Sequence, residues 1–525
     1  MRKKLLAGVM ALALCSTNMP LQTIFAGEFT SGNLEEVSEE TPEIFSDDNQ
    51  EVIEETEEEL SVFSSENVPE FSSEVNIMSA TADETKPIGI DMNDITNLNY
   101  YDSSKGIWKI TSAGSYRFNG TGNNDAPILI DHIDSGTVKV YLNNVNIHSA
   151  DRTPPLRITN TVHADVYIYL ESSNLLQSTY INSAALQIDG TTKLIIDNSP
   201  GTNGSLTANS SKHGTGIGSS GNSDLSPAFH IIIKGGAVTA SSFRSMGIGG
   251  NNSNITIKGG LVKVSSDQWC AIGGTKSNIT IDGGSVKASS RTHFGIKSSS
   301  LTINGGSVTA SSEEEPKEDI SSNQIIINGG SVKASSVSSS PTNDHGEKVY
   351  CCTIENLNSK KVIIDQNLKP WEPNNHQAVN PTDTNLYAWL TGEDHIVNVG
   401  TERRSYIFDS EDSESGTFSN TKRNATSDIF EFKGPRNFIY NGSSQTPSIT
   451  VNDTIKGVVN FTVKYFKEND STTEITEPKD VGTYIVKIDV NGGDFYNASS
   501  GYLTNENWKF DINPGTLTPK ITEHT

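Results

Sequence analysis

Disulfide chemistry is the first thing this sequence does without. It holds four cysteines in 525 residues. Cys15 lies in an N-terminal leader, and the remaining three, Cys270, Cys351 and Cys352, are odd in number with two adjacent, which excludes a disulfide framework. No CxxC or HxxxH spacing offers zinc ligands, so the cysteines read as small buried hydrophobes. Long apolar runs are equally scarce. The run "LLAGVMALALC" follows Arg2, Lys3 and Lys4 and leads into "TIFAGE". It is too short to anchor in a bilayer and reads as a cleaved signal peptide over residues 1–26, with no membrane span expected. Leu14 occupies the position where a lipoprotein signal at Cys15 needs a small residue. Helical signals are missing too: no 3.6-residue apolar stripe and no cap pattern appears.

Positive charge is in short supply. Lys and Arg number 39 against 64 Asp and Glu, a formal net charge of −25. The imbalance is local. Between Glu28 and Glu84 there are nineteen acidic residues and no Lys or Arg. Such a Ser-rich, self-repelling stretch cannot bury enough surface to offset its ordering entropy, so residues 27–85 read as an acidic disordered linker. The charge argues against nucleic acid and anionic membrane as partners.

What the sequence has in abundance is a repeat. "HIIIKGGAVTASS", "NITIKGGLVKVSS", "NITIDGGSVKASS", "SLTINGGSVTASS" and "QIIINGGSVKASS" place the first glycine of each pair at Gly235, Gly259, Gly283, Gly305 and Gly329. The spacings are 24, 24, 22 and 24 residues. Within each copy apolar residues alternate with period two: Ile255 and Ile257, Val262 and Val264, Cys270 and Ile272. Three short strands per copy, with Gly-Gly supplying positive φ at a corner, describe one coil of a parallel β-helix. The same logic extends upstream through "VKVYLNNVNIHS" and "VYIYLESSNLLQS", giving roughly ten coils within residues 86–345. The pairs Ser241/Ser242, Ser265/Ser266, Ser289/Ser290, Ser311/Ser312 and Ser335/Ser336 are expected to stack as one hydroxyl ladder.

These segments, with "ITSAGSYRFNGTG", "GTGIGSS" and the "IxGGxVxASS" series, resemble bacterial exported proteins of the carbohydrate-binding domain-containing family. The resemblance implies a right-handed parallel β-helix and polysaccharide binding, in some members of acidic sugars with calcium; it identifies no ligand residues. After the solenoid, residues 346–427 read as a small β module closing its open end. From 428 to 515, "FIYNGSSQTPSITV", "EPKDVGTYIVKIDV" and "WKFDI" show strands with turns every ten or so positions, the pattern of a β-sandwich, with Tyr484 placed to tie down a corner. This stretch resembles MBG/YDG-type Ig-like repeats of surface adhesins, and 516–525 reads as a tail. The fold class is therefore all-β: a right-handed parallel β-helix, a small β module and an Ig-like sandwich.

Pectin-cleaving enzymes use β-helices, so the sequence must be tested for their catalytic groups. A polygalacturonase-type hydrolase needs clustered carboxylates on neighbouring coils. Val162 stands where "RITNT" wants Asp, no Asp-Asp pair lies in the solenoid, and "GIK" at 295–297 lacks an arginine. A fold that hosts enzymes does not confer their activity. The expectation is a non-enzyme with no catalytic residue.

Binding has better candidates, because sugars meet proteins through aromatic faces and polar rims. Aligned coils put Ser245, Trp269 and His293 at one position and Met246, Cys270 and Phe294 at the next. Counting back from the inward Ile248, Ile272 and Ile296 assigns the second set to the core. Trp269 and His293 then face outward near Phe243, and these three are the candidate ligand residues; surface decoration accounts for them equally well. Trp108, Trp371 and Trp389 are further aromatics, Trp389 reading as core. No cofactor is required. Calcium is admitted through Asp131, Asp134, Asp165, Asp189 and Asp197, though solvated corners explain these as well. The expected protein is secreted, extracellular or at the cell surface, and binds a polysaccharide or host glycan. A different class, an adhesive protein using the β-helix as a rigid spacer and binding host surface protein, is the alternative.

Overall fold

The structure is a computed structural model describing residues 86–120, 125–221, 228–314, 318–355, 357, 360–365, 384–410 and 415–516. The leader, the acidic linker, Trp371 and the tail from residue 517 lie outside the described residues. No α-helix occurs among the described residues, and one 3-10 turn spans Ser427–Ile429. No helix there is long and apolar enough to cross a membrane.

The alternating repeats wind into a β-solenoid of about ten coils with three faces. Face A carries the shortest strands, including Ile128–Ile130, Leu156–Ile158, Leu186–Ile188, Ile248–Gly249 and Ile272–Gly273. Face B runs through ten rungs, from Ile88–Asp91 and Gly114–Asn119 through Thr137–Asn143, Asp165–Leu170 and Lys193–Asn198 down to the second half of Ile320–Ile327. Face C has eight rungs, from Asn146–Ser149 to Ser331–Lys333. All pair parallel and in register, so Ile233, Ile257, Ile281, Ile303 and Ile327 form one inward column. Each such fully buried side chain contributes about 1.5–3 kcal/mol relative to exposure. One continuous apolar core runs from Ile90 to Val349.

The single 22-residue spacing has a structural reason. In the coils above it a short corner separates faces A and B, as between Ile272–Gly273 and Asn278–Ile281. In the shortened coil the corner is gone, and one strand, Ile296–Ile303, serves both faces; the next coil also runs through as one strand, Ile320–Ile327, and regains its length before Ile320.

The two serines of each repeat divide their labour. The first (Ser241, Ser265, Ser289, Ser311) sits in an outward register column; the second (Ser242, Ser266, Ser290) is buried. Ser266 Oγ accepts the Trp269 N–H at 3.0 Å and donates to the Ser245 carbonyl of the preceding coil at 2.6 Å. Ser290 does the same for His293 and Trp269. The inner column continues upward through Ser210, Ser178 and Ser149, in a region where the sequence repeat has faded. It stops sooner than expected at the lower end. The last strand ends at Lys333, and the Ser335 and Ser312 N–H groups both donate to the buried Asp319 carboxylate instead.

That lower end is covered. Trp389 Nε1–H donates to the Val332 carbonyl at 3.0 Å, and the Tyr387 N–H to Ser331 Oγ at 3.1 Å, so the final rung of face C is not left bare. Trp389 belongs to Leu386–Thr391, paired antiparallel with Val349–Ile354. A second antiparallel sheet, Val362–Ile364, His395–Val399, Glu402–Asp409 and Thr417–Ser419, completes this module. Beyond it stand a five-stranded sheet, in the order Asn437–Ile439, Leu503–Asn513, Gly482–Gly493, Val459–Lys467 and Asp470–Ile475, and a pair formed by Phe430–Lys433 and Ser448–Val451. Tyr484, Val486, Ile488, Trp508 and Phe510 fill their core, and the Tyr484 hydroxyl donates to the Asp480 carbonyl at 2.6 Å.

Candidate functional site

Each coil turns from face C to face A through the residues after its Ser-Ser pair. Backbone bonds from one coil to the next fix the register here: Phe243 N–H donates to Ser210, Asp267 to Ser242, Arg291 to Ser266 and Glu313 to Ser290. Phe243, Asp267, Arg291 and Glu313 therefore form a column one residue beyond the buried serines. With the outward Ser241, Ser265 and Ser289 they border a groove of about 520 Å³ that runs along the stack. Arg291 forks onto Asp267, with Nη2 at 3.1 Å from Oδ2, and its guanidinium holds that carboxyl below the usual range. Phe243 is 42 % exposed and carries the Arg244 guanidinium 5.5 Å from its ring centroid.

Trp269 and His293 lie at the same corner but do not line the groove. Their rings meet each other, centroids 4.8 Å apart and tilted by 39°. Both are half-buried rather than fully outward, because the corner folds back over them; Ser245, at the equivalent position one coil up, is completely buried. Met246 and Cys270 occupy the core as expected, and burial pushes the Cys270 thiol up to about 12, leaving it inert. Phe294 does not. It is half-buried, edge-on to His293 at 6.2 Å, with the Lys297 ammonium 4.3 Å from its ring centroid. Its ring turns to His293 and the Lys297 ammonium instead of the core. Trp108, a candidate aromatic, is fully buried between Tyr101 and Phe118 and offers no face to a ligand.

Three of the five aspartates named for calcium hold other partners. Asp131 is buried, which disfavours its charge. Hydroxyls of Thr159 and Thr161, with His132 and Lys109, outweigh that and hold its carboxyl well below the usual range. Asp165 pairs with Lys193 at 3.0 Å and Asp189 with Arg157 at 2.6 Å. Among the described residues no group of three or more His, Cys, Asp or Glu is placed to hold a metal ion.

One aromatic cluster escaped the sequence reading. Tyr141 and Tyr169 are in register on the outer side of face B, stacked at 4.9 Å and 21°. Tyr167, two residues before Tyr169, lies nearly parallel to it at 6.0 Å and 16°. Arg117, the next residue up the column, stands 5.5 Å from the Tyr141 ring centroid. The signal was present in "VKVYLNN" and "DVYIYL", where tyrosine takes the outward phase of the alternation in consecutive coils.

Fold and surface together define an all-β solenoid carrying exposed polar and aromatic surface along its sides, a form suited to extended ligands. Residues 104–188 match the model of a family described as carbohydrate-binding domain-containing protein. No curated protein and no solved structure matches the chain. The matched segment covers upper coils and contains the three tyrosines; Trp269, His293 and Phe243 lie beyond it.

Proposed function

We propose that this is a non-catalytic, secreted or cell-surface bacterial protein that binds polysaccharide along the side of its solenoid, on a right-handed β-helix followed by an Ig-like sandwich of the MBG/YDG type. The family match supports a carbohydrate ligand. The observation that carries the reading is the corner groove. Serine hydroxyls repeat there once per coil beside an exposed phenyl ring and an Asp267–Arg291 pair. A row of hydrogen-bonding groups at rung spacing, about 4.8 Å, suits a chain with its own repeat better than a compact molecule. Recognition would use stacking and hydrogen bonds, with no covalent step. Calcium enters this reading only as a bridging ion brought with an acidic glycan.

A glycan array probed with the full chain, with and without calcium, tests it. Binding that Phe243→Ala weakens by about fivefold is the expected result, since one lost aromatic contact is worth about 1 kcal/mol. Absence of any glycan binding, together with capture of a host surface protein, would replace it with the rigid-spacer reading. The unbroken core from Ile90 to Val349 is what favours that alternative.

A further inference from the structure

Going beyond the solenoid groove, we infer that a polar cavity where the five-stranded sheet meets the preceding module is a second site, and that it takes a single sugar unit bearing a carboxylate. The cavity holds about 460 Å³ and is bordered by Lys422, Asn460, Asn491, Asn497 and the turn at Gly492 and Gly493. Its walls are built by hydrogen bonds. Arg423 bridges Tyr496 in parallel, with its N–H on the Phe495 carbonyl at 2.9 Å and its carbonyl accepting the Asn497 N–H at 2.8 Å. The loop leaving Gly482–Gly493 is closed where the Val490 N–H donates to Ser499 Oγ at 3.1 Å and the Ser499 N–H returns to the Val490 carbonyl at 2.9 Å. Between Val459–Lys467 and Gly482–Gly493 the register slips. Asn460 faces Gly492 and Phe461 faces Val490, which leaves Asn491 as the extra residue of a β-bulge. Such a bulge re-aims a side chain out of the ladder, here at the border of the cavity.

The groups left over select the ligand. Asp494 is spent: Arg403 forks onto it with both contacts at 2.9 Å, and the Val458 N–H donates to it at 2.7 Å. Lys422 donates to the Gly493 carbonyl at 2.6 Å and has no carboxylate within ion-pair distance among the described residues. Two cations thus act on one carboxylate, and the cavity carries a net positive charge. Asp489, opposite Thr462 in register, stands outside the lining. The Asn460 carboxamide makes no hydrogen bond among the described residues. Asn491 and Asn497 donate to Thr462 Oγ1 at 3.2 Å and to the Lys422 carbonyl at 2.9 Å, and keep their oxygens as unused acceptors. The ammonium calls for an anion; the amide oxygens call for hydroxyls. A sugar acid carries both on one ring, and a cavity of this size holds one such small ligand. A peptide carboxy-terminus answers the ammonium too, but its side chain finds only Val458, Ala498 and the Tyr496 ring as apolar lining. The site lies outside the solenoid, so it stands or falls apart from the corner groove.

The test uses the full chain and four probes. Methyl glucuronide and the methyl glycoside of N-acetylneuraminic acid are the sugar acids. Methyl glucoside differs from the first only at the carboxylate, and acetyl-glycyl-glycine stands for a peptide terminus. Affinity is read by ligand-observed NMR titration. Contact is read by acetylation of lysines in the wild-type chain and mass spectrometry, which needs no variant to fold. A sugar acid is expected to bind, to protect Lys422 while Lys287 stays labelled, and to exceed the glucoside by about tenfold or more, the worth of one charge-assisted hydrogen bond. Asn460→Ala should weaken it about fivefold, Lys422→Met should abolish the preference for acid over glucoside, and Phe243→Ala should change neither. Equal binding of glucuronide and glucoside would overturn the ligand class. So would acetyl-glycyl-glycine protecting Lys422 in place of the sugar acids. Sugar-acid binding that Phe243→Ala removes and that leaves Lys422 labelled would overturn this site while the glycan-binding reading stood. Binding of none of the four would overturn this site alone, since the glycan array tests the solenoid separately.

Discussion

The solenoid and the modules that follow it are both all-β, yet they hold together by different means. In the repeat coils of the solenoid each strand pairs with the equivalent strand one coil away, so like side chains stack on one another. In the modules after residue 346 nearly all pairing is antiparallel between unlike segments, and ion pairs join one module to the next. A stacked repeat has little tolerance for a change in any one rung, because each atom is crowded by its own copy above and below. The antiparallel modules leave more of their turns open to solvent.

The same substitution made in both regions measures that difference, and has the largest effect expected here. Gly284 has φ +81° and Gly442 φ +79°, so alanine at either adopts the same left-handed conformation, at about 1–2 kcal/mol. Their surroundings differ. A Cβ on Gly284 would sit 2.7 Å from the Gly260 carbonyl oxygen of the preceding coil, whereas one on Gly442 meets nothing within 4 Å. Gly284→Ala should therefore cost a further ~1–3 kcal/mol for overpacking. Segment-resolved hydrogen exchange should show faces B and C opening in the first variant and only a smaller, local loss of protection in the second. Equal losses would mean that stacking does not distinguish the two regions.

An intermediate effect separates the regions by pH. His395 is 3 % exposed in the module below the solenoid, with Nδ1 on Asp365 and Nε2 3.0 Å from the Thr391 carbonyl. Glu393 is the other charged group acting on it, and the Phe418 ring packs at 5.6 Å. Burial alone would lower its pKa; the bond to Asp365 and the surrounding negative charge outweigh burial and raise it above 6.5. The imidazolium donates from both nitrogens, and the neutral ring from only one. A group whose pKa rises on folding contributes stability that is complete below its unfolded pKa and is lost as pH climbs through the folded value. Exchange protection of His395–Val399 and Leu386–Thr391 should thus fall as pH rises above about 6.5. His395→Gln should flatten that dependence, and the solenoid rungs should show no parallel change.

The contrast also explains what could be read in advance. A repeat states its own register: once Gly259 and Gly283 align, Ile257 must lie over Ile281, and the coil count follows. The inner serine column was legible where "ASS" recurs and invisible at Ser149, Ser178 and Ser210, since there it survives as a position rather than a motif. Phe294 was misplaced because period-two counting gives direction but not the neighbours a ring turns to. Trp108 was misjudged because it lies before the regular repeat, where no neighbouring copy reveals which side faces in. The tyrosines were overlooked for a related reason. Trp269 interrupts its repeat and stands out, while Tyr141, Tyr167 and Tyr169 obey the alternation and do not. Pairings such as Arg403 with Asp494, ninety-one positions apart, have no sequence signature at all.

Those pairings carry the smallest effect and the sharpest division between the regions. Arg403 forks onto Asp494 with both contacts at 2.9 Å, Arg423 forks onto Asp394, and Lys456 reaches Glu393. The Arg403 and Lys456 pairs join the module over 346–427 to the five-stranded sheet or its flanks, and Arg423, whose backbone bonds to Phe495 and Asn497, ties that same edge to Asp394. The three cations keep 36–46 % of their side-chain surface exposed, so each pair is worth only about 0–1 kcal/mol and weakens as salt is added. The solenoid depends on buried hydroxyls and apolar columns that salt does not screen. Raising salt to about 1 M, where the Debye length shrinks to ~3 Å, should expose the junction to limited proteolysis without loosening any coil. Arg403→Ala should reproduce the effect at low salt. Cleavage that began within the stacked coils under the same conditions would show that the solenoid too relies on its surface charges, and that the division between ladder and ion pair is not the one that governs this protein.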